Sequence, residues 1–304
     1  MNRIHLTYIL LLLVAFTSCA NNSGTDKTNV ADKTKDTSIV DKKNPGSGAY
    51  DLAKPNHKWR LPDQLVEVSG NAWLDANHLV LIEDLHPALY LIKLDDKNAT
   101  LEKTIPFAET EKDKVDIEDV AIVDNTVYAL WSHGALFKIA DWQSTPKVDE
   151  IKTGLTKENN TEGLCYDPVS KTLLIACKDD AGVADDKKSA KAVYQFDINK
   201  QTLMPSPYMV IHKKDFEKIT GDKLDFNPSA IAVNPSTHDI YILTTRDNKG
   251  MAIFSHDGVL KSYQTIDKEL MPQPEGICFS PDGKLYISSE GKKGDPGNLF
   301  EFDK

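Results

Sequence analysis

Downstream of residue 56 the chain alternates short apolar runs with turn residues, and the alternation itself repeats. Five units open with a polar residue followed three positions later by a small one: Glu67 and Gly70, Glu118 and Ala121, Glu162 and Cys165, Ser229 and Ala232, Glu275 and Cys278. A turn comes next, such as Asp124-Asn125, Asn234-Pro235-Ser236 or Ser280-Pro281-Asp282-Gly283. Aliphatic, β-branched and aromatic runs then follow at residues 79–82, 126–130, 173–176, 240–243 and 285–288. A further set stands at residues 89–92, 135–139, 193–196, 251–254 and 299–302. Runs this short, bounded by turn residues, predict strands; a helix needs a longer stretch with a 3.6-residue period.

The opening residues lie 51, 44, 67 and 46 positions apart, the period of a four-stranded propeller blade. A fourth strand is legible at 101–105, 148–151, 208–211 and 260–263. The fifth unit stops at Lys304 with three strands, and His57-Lys58-Trp59-Arg60-Leu61, ahead of the first unit, can supply the missing one. Borrowing it closes the ring and leaves no free sheet edge. The expectation is an all-β, five-bladed β-propeller over residues 50–304, closed by an N-terminal strand. The 67-residue gap leaves a six-bladed alternative open, although it holds only a charged loop at 179–191 and a helical insertion at 213–218, with no second opening motif. A β-sandwich would not explain the repeated opening residue.

The N-terminus has a different pattern. One charge, Arg3, precedes the apolar stretch 9–16, which is too short to span a membrane and reads as a signal peptide. It ends in Phe16-Thr17-Ser18-Cys19, small residues before a cysteine, which resembles the lipobox of bacterial lipoproteins. Residues 1–18 are then a lipoprotein signal peptide and Cys19 the lipidated residue; a plain signal peptide with an incidental cysteine is the alternative. Residues 19–49 are mostly Asn, Ser, Thr, Asp, Lys and Gly, too poor in apolar groups to offset the entropy of ordering, and read as a disordered tether. Ala20 rather than Asp follows the cysteine, which by analogy with enteric sorting favours a periplasm-facing outer-membrane lipoprotein, with inner membrane or cell surface as alternatives.

The formal net charge is −10. Arg3 and a slight excess of Lys in residues 19–49 are positive, so the whole acidic imbalance sits in the body. An acidic body argues against nucleic acid, which needs clustered Lys and Arg. The membrane is therefore expected to be met through the lipid alone, by a monomer. Four cysteines in 304 residues exclude a disulfide-stapled scaffold. Cys165 and Cys278 share a repeat position with Ala121 and Ala232, so packing near the crowded axis explains them. Cys165 and Cys177 fall diagonally on one hairpin, a poor placement for a disulfide. No cysteine–histidine cluster suggests zinc, and no phosphate loop or nucleophile elbow is present.

Residues that enter the first strand and leave the second share one face of a propeller. Glu67, Glu118, Glu162 and Glu275 should converge there as a candidate metal site, with Ser229 in the fifth position. Glu83, Asp116, Lys178, Arg246 and Glu290 join Ser229 as candidate ligand-binding residues. Four glutamates at one mouth repel, so a bound cation, raised pKa values or neighbouring Lys178 and Arg246 must offset them. Hard oxygen donors favour Ca²⁺ or Mg²⁺. The structural alternative has each glutamate accepting backbone N–H groups of the next blade. No residue is assigned a catalytic role.

The segments Glu67-Val68-Ser69-Gly70, Asp116-Ile117-Glu118-Asp119, Glu162-Gly163-Leu164, Pro228-Ser229-Ala230-Ile231 and Pro274-Glu275-Gly276-Ile277 resemble the SdiA-regulated (YjiK-like) family of bacterial propellers over roughly residues 57–304. The stretch ending in Ser289-Glu290 is similar too. The resemblance implies the fold and brings no established activity. Three functions remain: a binding module for a divalent cation, small ligand or envelope protein; a metal-dependent hydrolase of phosphoesters or lactones, for which only His133 stands near a strand exit as a base; and an envelope scaffold.

Overall fold

The computed structural model describes residues 50–109, 116–183, 189–292 and 294–304. The signal peptide, Cys19 and the tether lie outside the described residues. Strand β1 (His57–Arg60) is followed by β2 (Val68–Asp75), β3 (His78–Glu83), β4 (Ala88–Leu94) and β5 (Ala99–Pro106), the last four forming blade 1. Blade 2 is β6 (Ile117–Val123), β7 (Thr126–Trp131), β8 (Ala135–Ala140) and β9 (Lys147–Lys152). Blade 3 is β10 (Thr161–Asp167), β11 (Thr172–Cys177) and β12 (Ala190–Asp197), with an outer strand broken into β13 (Thr202–Leu203) and β14 (Met209–His212). Blade 4 is β15 (Pro228–Val233), β16 (Ile240–Thr244), β17 (Gly250–Phe254) and β18 (Leu260–Thr265). Blade 5 is β19 (Gln273–Phe279), β20 (Leu285–Glu290) and β21 (Asn298–Phe302), completed by β1.

Five antiparallel sheets thus make a five-bladed propeller, and β1 pairs with β21 from His57↔Glu301 to Arg60↔Asn298. The 67-residue interval holds no sixth blade. Part of its length is the broken outer strand, where Pro205 and Pro207 lack the N–H a ladder needs, and part is a 3-10 turn, Lys213–Asp215, with helix α1, Glu217–Thr220.

Apolar side chains alternate between the two faces of each blade, so each face packs against its neighbour. One cluster fills each seam: Val80, Ile82, Val120 and Val127 between blades 1 and 2; Leu130, Leu164 and Ile175 between 2 and 3; Leu174, Ile231 and Ile242 between 3 and 4; Leu243, Ile277 and Ile287 between 4 and 5; Leu79, Leu81, Tyr286 and Leu299 between 5 and 1. Trp59 of β1 packs into the last of these and donates its indole N–H to Asp95 O at 2.7 Å. Tyr50 seals the blade 4–5 seam, its hydroxyl donating to Gly283 O at 2.6 Å. Cys165, Cys177 and Cys278 are free thiols; Cys165 stands opposite Leu174 and Cys177 opposite Thr161.

Candidate functional site at the propeller mouth

Every innermost strand carries a β-bulge near its start, after its first paired residue in blades 1 to 4 and after its second, Pro274, in blade 5. The pairs Val68↔Glu83, Ile117↔Trp131, Thr161↔Cys177, Pro228↔Thr244 and Pro274↔Ser289 are therefore equivalent. The bulged residues are Ser69, Glu118, Glu162, Ser229 and Glu275. Glu67 lies two positions earlier and matches Asp116, Asn160, Asn227 and Gln273. A bulge turns its extra residue out of the ladder, which re-aims that side chain toward the mouth. The residues one step past those equivalent partners on the second strand form another tier: Asp84, Ser132, Lys178, Thr245 and Glu290, the last of these still paired with Gln273.

The bulged serines and glutamates do different work. Ser69 Oγ donates to Ile117 O at 2.7 Å and Ser229 Oγ to Pro274 O at 3.1 Å, carbonyls in equivalent places on the next blade. These serines pin seams. Glu118, Glu162 and Glu275 instead act on one another and on Lys178. Lys178 donates to Glu162, whose other oxygen accepts from Asn160 Nδ2 at 2.9 Å. Glu275 accepts from the Thr245 hydroxyl.

Burial and mutual repulsion govern these groups. Burial, then Glu162, Asp116 and Glu275, hold Glu118 well above the usual carboxylate range. Burial lifts Glu162 to about 7 against the pull of Lys178. Burial lifts Glu275 to about 8, again opposed by Lys178. Asp84 reaches about 7 through burial and then through Glu67, Glu290, Glu83 and Asp116. Burial and Glu67 also raise Glu290, which Gln273 and Lys178 oppose. Burial alone would lower Lys178, but Glu162 and Glu275 raise it. Glu67, Asp116, Glu118, Glu162, Glu275, Glu290 and Lys178 thus share one electrostatic neighbourhood, as their repeat positions suggest.

Two further candidates act on the mouth from its edge, Arg246 on Glu162 and Glu83 on Asp84, while their own hydrogen bonds lie outside it. Glu83 is 2 % exposed and braces its own loop, accepting from Leu85 N and facing His86 Nδ1 and Tyr90 Oη. Its place in the pairing turns it away from the tier that Asp84 occupies. Arg246 is one residue past its tier and donates to Asp179 at 2.8 Å across blades 3 and 4.

Three residues at the mouth escaped sequence reasoning. Lys249 lies near Glu275 and Glu290 and donates to Thr245 O at 2.9 Å; nothing in its spacing marks it. Thr245 is neutral and carries no signal. Asp119 does carry one, since Gly70, Gly163, Ala230 and Gly276 hold its place in the other blades. It is fully buried, and its carboxylate accepts Leu164 N at 2.7 Å and Val120 N at 2.8 Å. A Cβ on Gly70 would stand 2.6 Å from Asp119 Oδ1, so the carboxylate fits because its neighbour has no side chain.

The Ca²⁺ expectation meets a geometric condition here. Among the described residues no three His, Cys, Asp or Glu side chains converge as ligands of one ion. Lys178 stands where the bulged glutamates gather, so a metal at that point must displace its ammonium.

The profile of the SdiA-regulated family matches residues 53–300. The chain belongs to the SdiA-regulated family. No curated protein matches its sequence. Among solved structures, this SdiA-regulated propeller is similar to the Myxococcus xanthus glutaminyl cyclase, with a TM-score of 0.56 and 13 % identity over 82 % of this chain and 95 % of that one. It is also similar to the PQQ-bound aldose sugar dehydrogenase of Streptomyces coelicolor, with a TM-score of 0.52 and 12 % identity over 85 % and 99 % of the two chains. At such identities the likeness is one of fold, and propellers host unrelated chemistries.

Proposed function

We propose that this SdiA-regulated propeller is a membrane-anchored binding module that captures a cation at its acidic mouth, with no catalytic step assigned. One observation carries this reading: Glu67, Asp84, Asp116, Glu118, Glu162, Glu275 and Glu290 crowd one neighbourhood in which Lys178 is the ammonium bonded to a carboxylate. Such a site attracts positive charge and releases repulsion when it is filled. Ca²⁺ and Mg²⁺ are the simplest candidates by donor chemistry, and carboxylates of the mouth would have to draw together around them. The anchor is the lipid on Cys19, the tether is residues 19–49, and the setting is the periplasmic side of the outer membrane.

Calorimetric titration of the protein at low ionic strength tests the reading, with CaCl₂, MgCl₂ and alkylammonium salts as separate titrants. Saturable binding of at least one cation, weakened by Glu118→Gln and by Glu275→Gln, is the expected result. No saturable binding of any of them would refute it.

A further inference from the structure

The mouth has two unlike sides. On blade 3, Lys178 places an ammonium on Glu162 with Glu275 and Glu118 beside it. On blade 1, the charges acting most on Asp84 are Glu67, Glu290, Glu83 and Asp116, all acidic. Asp84 Oδ1 is buried and has no hydrogen-bond partner among the described residues. Ser132 holds the same tier in blade 2, donates its backbone N–H to Asp116 O at 2.9 Å, and is 1 % exposed. Its Oγ is also without a partner among the described residues. The other members of that tier are satisfied: Lys178 on Glu162, Thr245 on Glu275, and Glu290 from Gln273. Within this tier the two unmet atoms therefore belong to the adjacent blades 1 and 2, whose backbones meet at Asp84: its N–H donates to Glu67 O at 3.3 Å and its carbonyl accepts Ile117 N at 3.2 Å. Buried groups of this kind are costly to leave unpaired and mark places where something else completes them.

The chemistry of that something follows from how the acceptors are set: among the described residues no three acidic side chains converge as ligands of one ion. A metal ion draws its oxygens to a single point at about 2.0–2.6 Å. An ammonium donates three separate N–H bonds of about 2.7–2.9 Å and accepts oxygens set further apart. Lys178 shows that this mouth accommodates an ammonium on a hydrocarbon stem. We propose that the blade 1–blade 2 side of the mouth, where Asp84 Oδ1 and Ser132 Oγ stand unpartnered beside Glu67, Asp116 and Glu290, is a subsite for a primary ammonium group carried by an organic ligand. The assignment rests on reading the mouth as a cation site and narrows the ligand to alkylamines. In it the ammonium donates to Asp84 and its acidic neighbours, while Ser132 offers one further oxygen.

The test uses the full-length protein in detergent, titrated at fixed ionic strength with n-butylammonium, cadaverine, tetramethylammonium and CaCl₂. The two primary amines should bind saturably. Tetramethylammonium has the charge but no N–H and should bind about tenfold more weakly. Asp84→Asn should weaken butylammonium by about tenfold while raising Tm of the ligand-free protein, because a repelled carboxylate is gone. Ser132→Ala should weaken it less, and it carries the test if Asp84→Asn fails to fold. Asp141→Asn, on the opposite face, should change nothing. Equal affinity for tetramethylammonium and butylammonium would overturn the subsite. Saturable Ca²⁺ binding without amine binding would also overturn it and leave the cation reading intact. Binding of none of the four, nor of MgCl₂, would end both.

Discussion

Asp119 Oδ2 accepts the backbone N–H of Leu164 at 2.7 Å, joining the innermost strands of blades 2 and 3 where the axis is most crowded. Its Oδ1 accepts Val120 N, so both oxygens are committed to main-chain donors. Asp119→Asn retains one acceptor and turns the other into a donor facing a donor. The expected cost is about 1–3 kcal/mol, the penalty of one unmet buried hydrogen bond. Amide exchange at Leu164 should accelerate more than at Ile231, which lies in a different seam. Unchanged exchange at Leu164 would show that the carboxylate does not hold this strand.

Stability should fall as pH rises from about 4 to about 8. Glu162 and Asp84 are lifted to about 7 and Glu275 to about 8, with Glu118 and Asp119 also raised. The folded protein therefore binds more protons than the unfolded chain across that window, and its extra stability is lost as these groups ionise. Glu67 and Asp116 are charges that act on Asp84 and Glu118, and Lys178 and Lys249 face the same carboxylates. Asp167 works the other way: against the cost of burial, Ser170 and His256 hold it low, and its contribution disappears in stronger acid. Thermal unfolding at pH 5.5 and pH 8.0 should give the higher Tm at pH 5.5. The reverse order would place the mouth carboxylates in their ionised form in the folded state.

Ring closure depends on β1. Removing residues 20–49 should leave Tm nearly unchanged, whereas extending the deletion through Arg60 should lower it strongly, since β21 loses its partner and becomes an open edge. Trp59→Ala alone should cost about 3–5 kcal/mol, as for other large buried aromatics. Equal melting temperatures for the two deletions would mean that the ring is held without this strand.

The blade count and the closing strand were legible because both rest on period and supply: five meanders, one of them a strand short, and a spare strand upstream. The register at the mouth was not. Glu67 and Glu118 look equivalent as opening residues, yet the bulge puts Ser69 in the place of Glu118 and Glu67 in the place of Asp116. A bulge adds one residue without a compositional mark, so a two-residue slip in a Glu-rich segment cannot be seen in one sequence. Glu83 and Asp84 divide for a related reason: adjacent residues at a strand end point to opposite sides, so Glu83 bonds its own loop while still acting on Asp84 through its charge. The same slip pairs Gly70 with Ala121 in the sequence; Ala72 is the structural counterpart, and the Gly row instead contains Asp119.

We propose that Cys19 carries the lipid, from the small residues that precede it and the tether that follows. Cys19→Ser should abolish metabolic labelling with palmitate and release the protein from the membrane fraction. Undiminished labelling would remove the anchor from the proposal.

Glu118→Gln separates three accounts of the bulged glutamates by sign. The substitution preserves shape and, at a pH high enough to ionise Glu118, removes one charge from the group formed with Glu162, Asp116 and Glu275. If repulsion dominates the empty mouth, the variant should be the more stable protein in the absence of added cation. If a cation fills the mouth, CaCl₂ or an amine should raise Tm of the wild type, by about 2.7 kcal/mol of stability at one hundred times Kd, because only the folded ring presents these oxygens together. The variant should then gain less. A structural role predicts neither outcome: a carboxylate that pins a blade would be missed when replaced, and the variant would be less stable with or without cation. Ser69 and Ser229 already make the seam contacts at the equivalent positions, each through a hydroxyl donating to a carbonyl of the next blade. A structural Glu118 would instead have to accept a main-chain N–H, but burial and neighbouring charges set its environment, with no main-chain donor among them. The expected result is therefore a stabilised ligand-free variant with a weakened cation response, measured by thermal unfolding with and without titrant. Destabilisation in both conditions would assign Glu118 to the scaffold instead.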